Sequence, residues 1–263
     1  MSLAAIDFGR LYRDHLAAAK RNPKPASVWD ARAAELGRKA LKSRYVDEFI
    51  GRMDLAGART LLDVGCGPGT ICLPLAGRLE RVIGLDFSRG MLDALQENAA
   101  GLELDNVEAL QLAWEDDWAA VPACDIVVAS RSTTVADLEV ALHKLNDKAK
   151  RRVYLTHLVG GRFIDDAVIE AVGRDLPALP DYIYAVNILH GMGIHPRLDY
   201  IASEGRLTGA TDFDEFAAHV AWALGELSAA ERERLHAWYL RQPAPSLGAP
   251  MRWAFISWDK QPD

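Results

Sequence analysis

The sequence predicts an α/β fold: a doubly wound, mostly parallel, seven-stranded sheet with an N-terminal helical cover and helical insertions after the fifth and sixth strands. Three observations predict it. From Arg59 onwards, apolar runs of strand length alternate with helical patterns, as in a parallel sheet with right-handed crossovers. A glycine cluster follows the first run directly, and an acid ends the second. The chain has 263 residues, 50% hydrophobic and 25% charged, enough for a sizeable core without disulfides or metals.

Leu3, Ile6, Leu11, Tyr12 and Leu16 fall at helical spacing, and Asn22-Pro23-Lys24-Pro25 breaks that helix. Residues 27–52 read as a second helical stretch, with Val28, Trp29, Leu36, Leu41, Tyr45 and Phe49 as apolar positions. Residues 60–64 form the first strand, closed by Gly65-Cys66-Gly67-Pro68-Gly69. A helix over 70–77 follows, with Pro74 near its first turn, where a missing amide proton costs little. Residues 81–86 are the second strand, and Ser88 caps a helix running to about Ala100. The third and fourth strands are 107–113 and 125–129. Thr134-Val135-Ala136-Asp137 reads as a capping box before the stripe Leu138, Ala141, Leu142 and Leu145. Residues 153–156 are the fifth strand. After Gly160-Gly161 come helices over 163–172 and 181–189, the second ended by Gly191 and Gly193. Residues 197–203 are the sixth strand and 251–258 the last, with helices capped at Asp212 and Ser228 between them.

No window approaches the ~18 consecutive apolar residues of a membrane helix. Met1-Ser2-Leu3 opens no charged-then-apolar signal pattern. Cys66, Cys72 and Cys124 are an odd count without zinc-type spacing, so reduced, inert thiols and a cytoplasmic setting are expected. Lys and Arg total 30 against 37 Asp and Glu, a net charge of −7, which argues against broad nucleic-acid or membrane-surface binding. Residues 1–45 nevertheless hold ten Lys/Arg and four Asp/Glu, a balance of +6 that leaves −13 for the remainder. That arm reads first as a solvated helical face and second as a guide for an anionic substrate or RNA.

The chemistry is carried by Asp63-Val64-Gly65-Cys66-Gly67-Pro68-Gly69 and by Asp86 at the end of the next strand. Glycines let the backbone turn sharply and let a ligand approach without meeting a Cβ. An acid 19 residues after Gly67 is placed to accept both ribose hydroxyls of an adenosine. Dinucleotide sites prefer Gly or Ala where this chain has Thr70. The carboxylate of Asp63 repels a pyrophosphate but suits an ammonium or sulfonium cation. A positively charged adenosine derivative is the expected ligand.

Leu61-Leu62-Asp63-Val64-Gly65-Cys66-Gly67-Pro68-Gly69-Thr70 resembles the first motif of the Rossmann-like S-adenosylmethionine-dependent methyltransferases. Val82-Ile83-Gly84-Leu85-Asp86-Phe87-Ser88, with Met91, is similar to their second motif, and the resemblance covers about residues 59–158. It implies S-adenosyl-L-methionine as cofactor, with Asp63, Gly65, Cys66, Gly67 and Gly69 at its methionine moiety and Asp86 on the ribose. Phe87, Met91 and Ser130 join that side, and Trp29 of the cover is expected to close over it. Many relatives carry an acid at the position of Ala113, which leaves Trp114 and Glu115 as adenine contacts. The resemblance divides the chain into a cover over 1–52 and a methyltransferase domain over 53–263, with a cofactor half at 59–158 and an acceptor or lid half at 159–263.

Methyl transfer is an in-line displacement in which alignment supplies ~7–11 kcal/mol in favourable cases, and a base is needed only when the acceptor must lose a proton. The Pro-Pro-aromatic run of amino-methylating nucleic-acid relatives is missing at Ser130-Arg131-Ser132. Metal-dependent catechol-type relatives need acids where this chain has Ser130 and Thr156-His157, so no metal is expected. Arg131 is the candidate for orienting an anionic group, His157 the leading base candidate, and Tyr182, Tyr184 and Asn187 a candidate acceptor wall. A small-molecule acceptor is the expectation, with an RNA acceptor or a non-catalytic S-adenosylmethionine-binding module as alternatives.

Overall fold

Five strands run parallel in the computed structural model, which describes residues 5–20, 23–39, 41, 43–242 and 248–260. They are β1 (Thr60–Val64), β2 (Arg81–Asp86), β3 (Val107–Gln111), β4 (Cys124–Ala129) and β5 (Ala149–Leu158). With β6 (Arg197–Ser203) and β7 (Met251–Asp259) they form a seven-stranded sheet of order β3-β2-β1-β4-β5-β7-β6. β7 runs antiparallel to both of its neighbours. Strand order reverses between β1 and β4, and the crevice beyond the carboxyl ends of such a pair is where open α/β sheets bind ligands.

Apolar side chains on both faces of the central strands demand helices on both sides. On one face, α1 (Phe8–Ala18), α7 (Leu138–Lys148) and α9 (Tyr182–Gly191) bury Tyr12, Leu142 and Leu189 against Leu62, Val127 and Leu155. On the other, α4 (Arg44–Gly51), α5 (Cys72–Ala76) and α6 (Arg89–Gly101) bury Phe49, Leu75 and Leu95 against Leu61, Ile126 and Phe255. A third cluster, built on Val172, Phe216, Val220 and Leu235, joins α8 (Asp166–Val172) to α10 (Phe213–Leu224) and α11 (Ala229–Tyr239). Asp212 caps α10, and Ser228 with Glu231 forms the capping box of α11.

The cover departs from the expected pair of helices. Its second stretch divides into α2 (Ala26–Asp30), α3 (Ala33–Lys39) and α4. The apolar residues explain the division, because Trp29, Ala33 and Leu36 pack beside α6 while Tyr45, Val46 and Phe49 pack on the sheet. Ser43 opens α4 by accepting a hydrogen bond from the Val46 amide at 3.3 Å. Asp137, not Thr134, caps α7 through the Val140 amide at 3.1 Å. Residues 1–4, which include Leu3, lie outside the described residues.

Candidate active site

β1 delivers Asp63 and Val64 into the glycine loop, whose Gly65, Gly67 and Gly69 adopt φ of +67°, +54° and +92°. The Gly65 and Cys66 amides donate to the Leu85 carbonyl at 2.7 and 3.1 Å, stitching the loop to the end of β2. A Cβ on Gly65 would lie 2.4 Å from that of Ser132, so the loop and the segment after β4 touch where only glycine fits. A Cβ on Gly67 would meet nothing nearer than the Met91 sulfur at 4.0 Å. Gly67 is the open side of the loop.

Two buried acids flank it. Asp86 accepts the Gly67 amide on one carboxylate oxygen and the Ser88 amide on the other, both at 2.9 Å. Burial pushes its pKa up, and those amide bonds oppose the shift. Asp63 is 1% exposed and accepts the Cys72 amide at 3.2 Å on Oδ2, while its Oδ1 has no partner among the described residues. Burial raises the Asp63 pKa to about 7, against the Cys72 bonds and with a smaller push from Asp86. An orphaned carboxylate oxygen beside a loop that is open at Gly67 fits a ligand bringing an ammonium or sulfonium group. Burial likewise pushes the Cys66 thiol up and keeps it protonated.

Phe87, directly after Asp86, is 39% exposed, and Met91 is buried against Trp29 and Ala33. Trp29 also meets the Trp222 ring of α10 edge-on at 5.5 Å, and Lys24 and Arg32 lie 4.2 and 4.3 Å from the same ring. Beside it, Asp30 accepts the Ser88 hydroxyl at 2.6 Å and the Gly90 amide at 2.8 Å, a tether from the cover to α6 that sequence reasoning missed. Trp114 packs on Trp118 at 5.3 Å between ring centres, and Glu115 is exposed. Asp116 folds back to accept the Ala113 amide at 2.7 Å. A carboxylate thereby stands next to the position where Ala113 lacks one.

The carboxyl ends of β4 and β5 carry a second cluster. The Tyr45 hydroxyl lies 2.8 Å from the Ser130 hydroxyl and 2.7 Å from that of Thr156. The Arg131 amide donates to the same Thr156 oxygen at 2.9 Å. Arg131 itself sits at φ +56°, its guanidinium carbon 4.1 Å from the centre of the Tyr45 ring. Burial raises the Tyr45 pKa, and the Arg131 charge opposes it. Tyr45 and Thr156 were not among the sequence-derived candidates.

Four of those candidates go elsewhere. His157 is 1% exposed, with Nδ1 2.8 Å from the Thr133 hydroxyl and Nε2 3.3 Å from the Pro180 carbonyl. Successive strand residues point to opposite faces, so placing Thr156 on Tyr45 turns His157 away from Ser130 and Arg131. Its ring is held in the interior, away from the Arg131 cluster where the base was expected. The Tyr182 hydroxyl bonds Tyr200 at 2.8 Å, and that of Tyr184 lies 3.0 Å from His15 Nδ1. Asn187 donates to the Ile183 carbonyl at 2.8 Å and lines a cavity of about 310 Å³ with Phe8, Glu139 and His143. These three form no common wall, because α9 lies along α1, α7 and β5 and buries Ala185, Ile188 and Leu189 there.

Residues 61–151 match the family model described as a methyltransferase domain. The chain is 36% identical over 264 residues to an uncharacterized protein of Haemophilus influenzae, with 98% of each chain covered. It is 31% identical over 140 residues to a probable cobalt-precorrin-6B C(15)-methyltransferase of Methanothermobacter thermautotrophicus, covering 52% of this chain and 65% of that one. Shorter matches, over 20% to 30% of this chain, are to tRNA and 23S rRNA uracil methyltransferases, of which they span 9% to 18%. Among solved structures, the [4+2]-cyclase SpnF superposes with a TM-score of 0.59 at 17% identity, covering 90% of this chain and 95% of that one. A likeness at that identity speaks for the fold alone. Among the described residues, no helix is long and apolar enough to cross a membrane.

Proposed function

The chain belongs to the class I, Rossmann-like S-adenosylmethionine-dependent methyltransferases, and on that premise we propose that it methylates a small molecule carrying an anionic group. Bound S-adenosylmethionine supplies an electrophilic methyl group on a sulfonium sulfur. In this reading Asp63 takes the ammonium of the cofactor on its orphaned oxygen, Asp86 its ribose hydroxyls, and Phe87 offers an exposed apolar surface to the adenine. Gly67 keeps the backbone close, and catalysis rests on alignment at the ends of β4 and β5.

The observation that carries the acceptor reading is Arg131. Its side chain is exposed, and among the described residues no carboxylate lies within ion-pair distance of its guanidinium. A non-glycine residue in the left-handed region costs about 1–3 kcal/mol and persists only where its surroundings fix it. Here the Thr156 bond and the Tyr45 ring do so. Such a guanidinium is presented to a ligand, beside the place where a nucleophile must stand for in-line attack.

The basic arm supports an RNA acceptor less well than its sequence suggests, because carboxylates meet part of its charge. Arg13 pairs with Asp137 at 2.9 Å, Arg32 with Glu35 at 3.1 Å and Arg44 with Glu48 at 2.8 Å. A cytoplasmic setting belongs to the same proposal and draws support from three buried free cysteines. So does the division into a cover over 1–52 and a methyltransferase domain over 53–263.

The test is S-adenosylhomocysteine release from S-adenosylmethionine against pools of anionic and neutral metabolites and against RNA. Turnover should appear with an anionic metabolite, and Arg131→Ala should raise its KM about tenfold while cofactor affinity holds. Turnover confined to RNA or to neutral compounds sinks the reading.

A further inference from the structure

Helix α10 buries Phe216, Ala217 and Val220 in the third apolar cluster. At about 3.6 residues per turn, Trp222 falls on the opposite side of that helix. Its indole packs instead on one short segment of the cover. Trp29 meets it edge-on at 5.5 Å, while Lys24, just before α2, and Arg32, just after it, lie 4.2 and 4.3 Å from its ring centre. All four side chains are half-buried. An indole on the outer face of a helix, met by a second ring and two cations, is a docking contact between the insertion and the cover.

The same segment of the cover is fixed to the turn that carries Asp86. Asp30 accepts the Ser88 hydroxyl at 2.6 Å and the Gly90 amide at 2.8 Å, and the Ser88 amide donates to Asp86 at 2.9 Å. A Cβ on Gly90 would lie 2.8 Å from the Asp30 Cα, so α2 reaches α6 only because residue 90 is a glycine. Met91, packed on Trp29, carries the sulfur nearest the open side of Gly67. Farther along, Asn98 donates to the Gly37 carbonyl at 3.4 Å and the Pro68 carbonyl at 3.0 Å, which ties α3 to the glycine loop. The short helices α2 and α3 therefore lie against the acid and the loop of the cofactor site, and Trp222 packs on α2 in turn.

Resting on the assignment of Asp86 to the cofactor ribose, we propose that Trp222 is a positioning residue for cofactor binding. It fixes α2, and α2 fixes Asp30, Ser88 and with them the Asp86 carboxylate. Cover and insertion thus form a clasp that meets at Trp29 and Trp222. The helices between β6 and β7 bear on the cofactor, although they belong to the half of the chain expected to serve the acceptor.

Calorimetry tests this with S-adenosylhomocysteine and with 5′-methylthioadenosine, which keeps the ribose and lacks the amino-acid end. Trp222→Ala should weaken both ligands about tenfold, through loss of the ring pair and its two cations. Trp222→Phe keeps a ring face for Lys24 and Arg32 and should stay within about threefold of wild type. Trp29→Ala should lose at least as much as Trp222→Ala. The double variant should lose no more than Trp29→Ala alone, because both act through one contact. Wild-type affinity in Trp222→Ala, or losses that multiply in the double variant, overturn the clasp. A loss confined to S-adenosylhomocysteine places the effect at the amino-acid end and overturns the route through Asp86. If Asp86→Asn weakens binding and Trp222→Ala does not, the clasp fails and the ribose reading stands. The reverse pattern removes Asp86 from the ribose, and with it the route from Trp222.

Discussion

Asp63 shows what a buried carboxylate costs when nothing answers it. With a folded pKa of about 7 against 3.8 for an ordinary aspartate, the folded protein holds a proton that the unfolded chain has released over that window. Stability therefore falls as pH rises from about 4 to 7 and is level above it, by at most about 4 kcal/mol. Asp63→Asn removes the titration, so the urea midpoint of the ligand-free variant, compared with wild type, should gain ground from pH 4 to pH 7. The same variant should lose S-adenosylmethionine binding, since an amide offers no charge to an ammonium. A stability gap that ignores pH would remove Asp63 as the titrating group. Asp86 predicts a different outcome, because both its oxygens also serve backbone amides. Asp86→Asn should weaken S-adenosylhomocysteine by ~1.5–3 kcal/mol in calorimetry, and NAD should show no comparable affinity to either protein. Unchanged affinity in this variant would take the carboxylate out of the site.

At the scale of elements, the helical insertion hangs on one arginine. Arg174, just past α8, donates to the Leu224 carbonyl at 2.6 Å, the Glu226 carbonyl at 2.7 Å and Glu231 Oε1 at 2.7 Å. Arg174 first, and then Ser228, hold the Glu231 pKa down to about 2. A depressed carboxylate stabilises fully above its unfolded value near 4.5 and loses that contribution as pH falls through about 2. Glu231→Gln should therefore speed amide exchange in α11 at pH 7, and the two proteins should converge toward pH 2. A difference that persists there would point to lost packing in place of lost charge. The caps of α10 and α11 were legible in the sequence, as were β1, β2 and the glycine loop between them, because each is a local pattern. The partner of Ser130 was not. From Val153 to Leu158 β5 is buried on both faces, so no alternation of polarity marks whether Thr156 or His157 turns toward the loop. Tyr45 was equally hidden, since only the docking of α4 on the sheet brings it across 85 residues to Ser130.

In the whole molecule, the N-terminal cover belongs to the core rather than to a detachable basic arm. Tyr12 is fully buried, donates its hydroxyl to the Val135 carbonyl at 2.7 Å and packs on Tyr184 at 5.8 Å between ring centres. Val135 lies in the same segment as Ser132, whose hydroxyl donates to the Val64 carbonyl at 2.7 Å and whose Cβ crowds Gly65. Helix α1 is thus connected to the glycine loop through residues 132–135. Truncating so large a buried ring costs about 3–5 kcal/mol, which in a protein of this size lowers Tm by roughly 10 °C. Tyr12→Ala, and deletion of residues 1–20, should both show that loss and should weaken S-adenosylhomocysteine binding as the loop loosens. Tyr12→Phe keeps the ring, gives up one hydrogen bond worth about 1 kcal/mol, and should lower Tm by only a few degrees. A deletion variant that melts with wild type and binds the cofactor as tightly would restore the arm to the role of a solvated appendage, free to serve a partner.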